Sequence, residues 1–252
     1  MTESFKVIIP ARLASTRLPG KPLLEIGNKP LIQHVYEAAK QSAAVSVIVA
    51  TDSIDIHHRV EAFGGSVQMT SVAHNSGTER LIELVDKLHE PDESIIVNLQ
   101  GDEFNMPSEL VDQVAEALMN HDRIGMATLC DPITDMADFQ NPNIVKVVFD
   151  RNQIALDFSR KSIAWYGDGP EPAAGVYGYR HIGIYAYRVW FLRLYATLLP
   201  CDREKTERLE QLRVLDRGYD IHVDIANTRP GIGIDTPEDL QKAQQLADAQ
   251  IL

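Results

Sequence analysis

A chain of 252 residues with 44% hydrophobic side chains is long enough for one large α/β domain, or a domain carrying a smaller lobe, around a real core. Its 24 Lys and Arg against 36 Asp and Glu leave a net charge of −12, which disfavours nucleic acid and anionic membranes as bulk partners, so an anionic ligand must be gathered locally. No run of about 20 apolar residues and no signal-peptide pattern is visible, so no membrane insertion and a cytoplasmic location are expected.

Val7-Ile8-Ile9 is an apolar β-branched run of the kind found in a buried parallel strand, and Pro10 ends it because proline cannot donate to a sheet ladder. A cationic loop follows, with Arg12, Arg17 and Lys21 among the small or flexible Ala14, Ser15 and Gly20, so backbone amides and three cations can close on a polyphosphate. The spacing is neither G-x-x-x-x-G-K-[ST] nor G-x-G-x-x-G, which disfavours a P-loop and a nicotinamide dehydrogenase and predicts a triphosphate site of another design. Leu31, Val35, Ala38 and Ala39 predict a helix over 29–42, and 45–50 reads as a strand running into Thr51-Asp52. Ile56, Val60 and Phe63 predict a second helix stopped by Gly64-Gly65, then a short strand over 66–70. Leu81, Leu84, Val85 and Leu88 mark a third helix, followed by a strand over 94–99. This alternation predicts a doubly wound, mostly parallel, Rossmann-like sheet with ligands at the carboxyl ends of its strands, where the Arg12 loop, Asp52 and residues 100–103 would gather.

Beyond a helix over 107–121 and a strand over 125–130 the pattern changes. Residues 144–150, 153–159 and 181–188 read as short strands, and the Gly/Pro-rich stretch 166–178 as a mobile or irregular loop. Helices over 189–198 and 205–217, a strand over 220–226 and a helix from near Pro237 complete the chain. A single domain is expected, with a nucleotide-binding half over 1–130, a smaller α+β lobe over 131–229 and a returning loop and helix over 230–252. Cys130 and Cys201 lack metal-ligand or C-x-x-C spacing and read as reduced structural thiols.

The strand over 95–99 delivers Gln100-Gly101-Asp102-Glu103 to its end, where Asp102 suits a Mg²⁺ ion held against phosphate oxygens, or a plain turn. Asp235 is the second candidate ligand. In Asp235-Thr236-Pro237-Glu238-Asp239, Thr236 reads as an N-cap, Pro237 as the first helical position, and Glu238 and Asp239 as capping carboxylates, which leaves Asp235 to face a metal. The run His74-Asn75-Ser76-Gly77-Thr78-Glu79-Arg80 precedes a helix, so its amides and hydroxyls suit a base or a phosphate, and Ser76 equally suits an N-cap. Arg160, His181 and Tyr185 are candidate partners for a substrate carboxylate and hydroxyls, although a lone His or Tyr on a strand is as readily packing. Glu210 and Gln211 fall mid-helix between apolar positions, where a solvated face is the plain alternative.

In order, P-A-R-x-x-S-T-R-L-P-G-K-P-L, A-T-D, H-x-S-G-T-E-R, Q-G-D-E, F-S-R, R-H-x-G-I-Y, L-E-Q-L-R and D-T-P-E-D-L span nearly the whole chain and resemble the 3-deoxy-manno-octulosonate (Kdo) cytidylyltransferases, or CMP-Kdo synthetases. The resemblance implies a Mg²⁺-dependent transfer from CTP to a sugar acid for lipopolysaccharide synthesis, by a homodimer. It implies that Arg12, Arg17 and Lys21 hold the triphosphate and that Ser76 and Gln100 lie near cytosine and sugar. By the same resemblance Asp102 and Asp235 bind the metal, and Arg160, His181, Tyr185, Glu210 and Gln211 line the sugar pocket. A CMP-sialic acid synthetase and a non-catalytic nucleotide-binding module are the alternatives; both metal carboxylates being kept argues against the latter. For the dimer contact, the apolar Ile182, Tyr185, Trp190, Phe191 and Tyr195 of the second lobe offer a surface, or are core.

The chain departs from the family pattern in four places. Asp157 stands where an aromatic usually precedes F-S-R, Ile163-Ala164-Trp165 stands for the I-P-W that follows it, Phe104 follows Q-G-D-E in place of proline, and Cys201-Asp202-Arg203-Glu204 replaces P-L-E before L-E-Q-L-R. The added carboxylates Asp157, Asp202, Glu204 and, with them, Glu207 suit an ammonium at the far end of the sugar, as in 8-amino-3,8-dideoxy-manno-octulosonate (8-amino-8-deoxy-Kdo), or are surface substitutions in an enzyme for Kdo itself.

Overall fold

The computed structural model describes residues 4–14, 18–74, 76–163 and 173–250. In chain order the strands are β1 (Phe5–Ala11), β2 (Glu25–Ile26), β3 (Lys29–Pro30), β4 (Ser46–Thr51), β5 (Val67–Met69), β6 (Ile95–Leu99), β7 (Glu103–Phe104), β8 (Met126–Ile133), β9 (Lys146–Phe149), β10 (Ala155–Ser159), β11 (Gly178–Arg188), β12 (His222–Ile225) and β13 (Ile232–Gly233). The helices are α1 (Leu31–Lys40), α2 (Ile54–Ala62), α3 (Gly77–Lys87), α4 (Ser108–Met119), α5 (Met136–Gln140), α6 (Val189–Tyr195), α7 (Asp202–Glu207), α8 (Gln211–Asp216) and α9 (Pro237–Gln250). Among the described residues no helix is long and apolar enough to cross a membrane.

β1 is buried along nearly its whole length because β4 and β6 pair with it in parallel on either side. Its side chains alternate between two cores: Val7, Ile9 and Ala11 face a layer with α1, α2 and α4, while Ile8 faces a layer with α3 and α6. Each fully buried Val or Ile there contributes roughly 1.5–3 kcal/mol of transfer free energy, which is why so apolar a run settles at the centre. The main sheet runs β10-β9-β11-β6-β1-β4-β5, with β8 joining β11 and β12 joining β8. Its β6-β1-β4-β5 part is parallel, giving the doubly wound α/β fold that the alternation predicts.

The second half continues the same sheet mostly in antiparallel fashion, with β12 parallel to β8. β11 pairs with β6 so that Tyr185 lies opposite Asn98 and Ile184 opposite Leu99, and its register against β8 shifts between Ile182 and Tyr185. Such an irregularity re-aims side chains, and here it lies at the carboxyl end of β6. The aromatic and apolar residues expected to offer a dimer surface are mostly interior: Ile182, Phe191 and Tyr195 are buried, and Trp190 packs against the same core.

One expected helix is two. The stretch 205–217 is broken at Arg208, which adopts φ 56° and ψ 49° and closes α7 by donating its amide to Glu204 O at 2.7 Å. Arg213 of α8 then clasps Glu204 of α7 across the break, and Leu209 is buried between them. Glu210 is consequently not mid-helix; it stands at the start of α8. Of the loop expected over 166–178, residues 166–172 lie outside the described residues.

Candidate active site

The carboxyl ends of β1 and β6 meet where the chain turns at Gln100-Gly101-Asp102. A Cβ on Gly101 would come within 2.9 Å of Pro10 O, so only glycine lets this turn lie against the end of β1. β7 then pairs with β13, and Ile234 donates to Asp102 O at 2.9 Å, so a backbone ribbon brings Asp235 to Asp102 from 133 residues away in the chain. Gly231 permits that approach, since a Cβ there would meet Phe104 O at 2.2 Å.

Lys21 ties the two carboxylates together. Its Nζ donates to Asp102 Oδ2 at 2.7 Å and to Asp235 Oδ1 at 2.9 Å, and the residue is only 8% exposed. Burial works against the charged ammonium, but attraction and hydrogen bonds from both aspartates outweigh it and raise its pKa. Two carboxylates converging on one cationic point, with no group of three or more His, Cys, Asp or Glu gathered among the described residues, are the donor set that suits Mg²⁺ shared between protein and phosphate oxygens. Asp239 fixes this corner: its Oδ2 accepts from Asp235 N, Thr236 N and Thr236 Oγ1, and Thr236 Oγ1 accepts from Asp239 N, a reciprocal cap at the start of α9.

A cavity of about 330 Å³ lies over this corner, lined by Pro10, Arg12, Lys21, Ser76, Arg80, Gln100, Asp102, Glu210 and Asp235 among others. Ser76 caps α3, its Oγ accepting from Glu79 N at 3.2 Å, so it serves the helix and lines the cavity at once. Arg80, almost wholly buried, is fixed by Asp52 at the end of β4 and by Thr70 Oγ1. Arg17 lies outside the described residues.

A second cavity of about 260 Å³ adjoins the first. Gly77, Gln100 and Glu210 line both, and Thr78, Asn98, Tyr185, Tyr187, Tyr195, Arg208 and Gln211 are among those lining the second. Two buried amide donors in its wall, Asn98 Nδ2 and Gln211 Nε2, have no partner among the described residues. Buried donors are rarely left so, and an oxygen-rich ligand would satisfy them.

His181 and Arg160 line neither cavity. His181 stacks edge-on to Phe158 and beside Tyr185, with centroids 5.1 and 5.2 Å away. Thr128 Oγ1 donates its one proton to Ile184 O at 2.7 Å and so accepts from His181 Nε2 at 3.0 Å. Burial pushes the imidazole down to about 3, so it stays neutral in ordinary buffers. Arg160 instead holds backbone, its Nε donating to Glu207 O at 2.8 Å and its Nη1 to Pro142 O at 3.4 Å.

The carboxylates that distinguish this chain part company. Glu204 is buried against Arg213 and Asp202 points to solvent, so neither reaches the cavities. Asp157 pairs with Arg203 at 2.7 Å, two departures from the family pattern meeting each other, and Glu207 Oε2 accepts from Ser159 Oγ and Arg160 N. Asn98, Tyr187 and Arg208 line the cavities with no local signal in the sequence, whereas Thr78 and Arg80 fall within the H-x-S-G-T-E-R run that suits a base or a phosphate.

Comparison with known proteins gives a consistent pattern. A cytidylyltransferase family model matches residues 6–221. A 3-deoxy-manno-octulosonate cytidylyltransferase of Idiomarina loihiensis is 51% identical over 249 residues, covering 97% of this chain and 98% of the relative, and one of Histophilus somni is 49% identical over 252 residues, covering 96% and 98%. A solved structure of CMP:2-keto-3-deoxy-manno-octonic acid synthetase complexed with CTP is 41% identical, covers 100% of both chains and superposes with a TM-score of 0.88.

Proposed function

The chain belongs to the cytidylyltransferase family, among the 3-deoxy-manno-octulosonate cytidylyltransferases, and from that premise we propose that it joins CTP to an eight-carbon sugar acid of the Kdo type, releasing pyrophosphate. The observation that carries this reading is the pair of joined cavities. One is floored by Arg12, Lys21, Asp102 and Asp235, as a triphosphate requires, and the other presents the partnerless donors of Asn98 and Gln211 to a polyhydroxylated acid.

On this reading the triphosphate lies over the Arg12 and Lys21 loop, and the sugar acid lies beside Tyr185 with its anomeric hydroxyl toward the junction. Arg12 and Lys21 offset the charge that grows on the departing pyrophosphate, and holding both substrates across one junction removes most of the entropic barrier to their meeting. No covalent enzyme intermediate is needed. Mg²⁺, which Asp102 and Asp235 would hold, neutralises phosphate oxygens when bound. Family membership supports placing this step in the cytoplasm and in lipopolysaccharide synthesis. It also supports a homodimer, which sedimentation at assay concentration would report as twice the mass of the chain.

For the far end of the sugar we infer an amine. Asp157 and Glu207 line neither cavity, so on this reading the far end of the sugar extends past the cavity wall toward them, and Arg203, a half-exposed side chain bonded to Asp157 at 2.7 Å and only 3.8 Å from Glu207 Oε1, would pass from Asp157 to Glu207. A charge-assisted hydrogen bond is worth roughly 1.5–3 kcal/mol, or about ten- to a hundredfold in preference. Measured side by side, kcat/KM is expected to be higher for 8-amino-8-deoxy-Kdo than for Kdo by that factor, and Asp157→Tyr to narrow the gap. Equal values would return the far end to a hydroxyl, and no pyrophosphate release with either acid would end the broader reading.

A further inference from the structure

Glu210 stands where the two cavities meet. Of the three residues that line both, Gly77 has no side chain and the Gln100 amide takes up no proton, so Glu210 is the one acid–base group at the junction. It is also the only carboxylate among the residues lining the sugar cavity, and no histidine is among them. Three tyrosines share that wall, but burial raises the pKa of Tyr185, Tyr187 and Tyr195 well above the ordinary phenol value, so their hydroxyls remain protonated. The other carboxylates of the nucleotide cavity, Asp102 and Asp235, are tied to Lys21.

The position of Glu210 is fixed from several sides. The break at Arg208 turns it out of the helical run, and Oε2 accepts from Thr78 Oγ1 at 3.0 Å and from Tyr195 OH at 3.4 Å. Its other oxygen, Oε1, takes no hydrogen bond among the described residues.

We propose that Glu210 is the general base of the transfer, its Oε1 taking the proton of the sugar hydroxyl as that oxygen bonds to the α-phosphorus of CTP. As the new O–P bond forms, the bond from the α-phosphorus to the oxygen bridging the β-phosphate breaks, and its electron pair leaves with pyrophosphate. The proton stays on Glu210 and passes to solvent once the product has gone. This role rests on the CTP-dependent transfer proposed above.

The surroundings make Glu210 a stronger base than an exposed glutamate. Burial raises the Glu210 pKa above the usual glutamate value, while the hydrogen bonds from Thr78 and Tyr195 and the charge of Arg213 oppose that rise and Glu204 adds to it. The groups facing it are Thr78 of α3, Tyr185 and Tyr187 of β11, Tyr195 of α6, Glu204 of α7 and Arg213 of α8. A base acts only when deprotonated, so kcat should fall as pH drops through this raised pKa.

The test is Glu210→Gln, which keeps the acceptor for Thr78 and Tyr195. It is expected to lower kcat by about a hundredfold or more, to leave the KM of CTP and sugar within about threefold, and to abolish the acid limb of the kcat–pH profile. Thr78→Val, which removes one donor from the carboxylate, should move that limb to higher pH. If Glu210→Gln raised the sugar KM and kept kcat, or kept the acid limb of the parent chain, Glu210 would be a sugar contact and not the base. If the parent chain itself released no pyrophosphate from CTP, the reading that underlies the role would fail first, and visibly apart from it.

Discussion

Replacing Asp102 or Asp235 by asparagine is expected to lower kcat by about three powers of ten or more while leaving the thermal midpoint within a few degrees, as loss of an essential charge in a phosphoryl-transfer site does. The two carboxylates reach one point from opposite ends of the chain, and what brings them there is backbone: the β7–β13 pairing and the bond from Ile234 N to Asp102 O. Neither side chain is needed for that ribbon, and both are partly exposed, so the fold should survive while the charge at the phosphates is lost. The neighbouring acids supply the control. Glu238 is exposed in the first turn of α9, and Glu238→Gln should cost no more than about 1 kcal/mol as a dipole effect and leave kcat near its starting value. Asp239→Ala is intermediate, because it removes the acceptor that holds Asp235 N and the Thr236 cap, a loss of about 1–2 kcal/mol. Steady-state rates and thermal melts of the four variants check this, and Glu238→Gln proving as damaging as Asp235→Asn would refute the division of labour within that motif.

Lys21→Met is expected to be nearly as severe, with kcat lower by about a hundred- to a thousandfold and the KM of CTP raised, because the change removes the cation closest to both carboxylates from the phosphate cavity. It should also lower the thermal midpoint, since Asp102 and Asp235 would face each other without the ammonium between them. The pH dependence has a definite sign. The pKa of Lys21 is raised in the folded chain, so its contribution to stability is fully present below the ordinary lysine value and is lost only as pH rises through the raised one. At pH 7 the parent and Lys21→Met chains should therefore differ in stability, and the difference should shrink only in strongly alkaline solution. Melts of both chains across that range would show it.

The residues that carry this chemistry were legible where function is encoded locally. Arg12, Lys21 and Asp102 follow buried β-branched strands, and a parallel sheet sends whatever follows its strands to one edge, so their meeting could be anticipated from the pattern alone. The Asp52–Arg80 pair belongs to the same edge. The break at Arg208 was hidden because the apolar spacing of Leu209, Leu212 and Leu215 runs on through it, and periodicity does not register a single left-handed residue. Read as one helix, that segment left a solvated face as the plain alternative for Glu210 beside the sugar pocket that the family resemblance implied, whereas the break aims it between the cavities. Asn98 was obscured for a different reason: a polar residue inside a buried strand reads as packing until its neighbours are known. The pairing of Asp157 with Arg203 is non-local, and no spacing rule relates positions 46 residues apart.

The most direct measurement is transfer of label from CTP carrying radioactive phosphorus at the α position, incubated with Mg²⁺ and Kdo or its 8-amino analogue. Label is expected in a CMP-sugar conjugate, in step with unlabelled pyrophosphate, and only when the sugar acid is present. Label recovered as free CMP without sugar dependence, or remaining in CTP at millimolar Mg²⁺ with both acids, would contradict a transfer carried out across the junction of the two cavities.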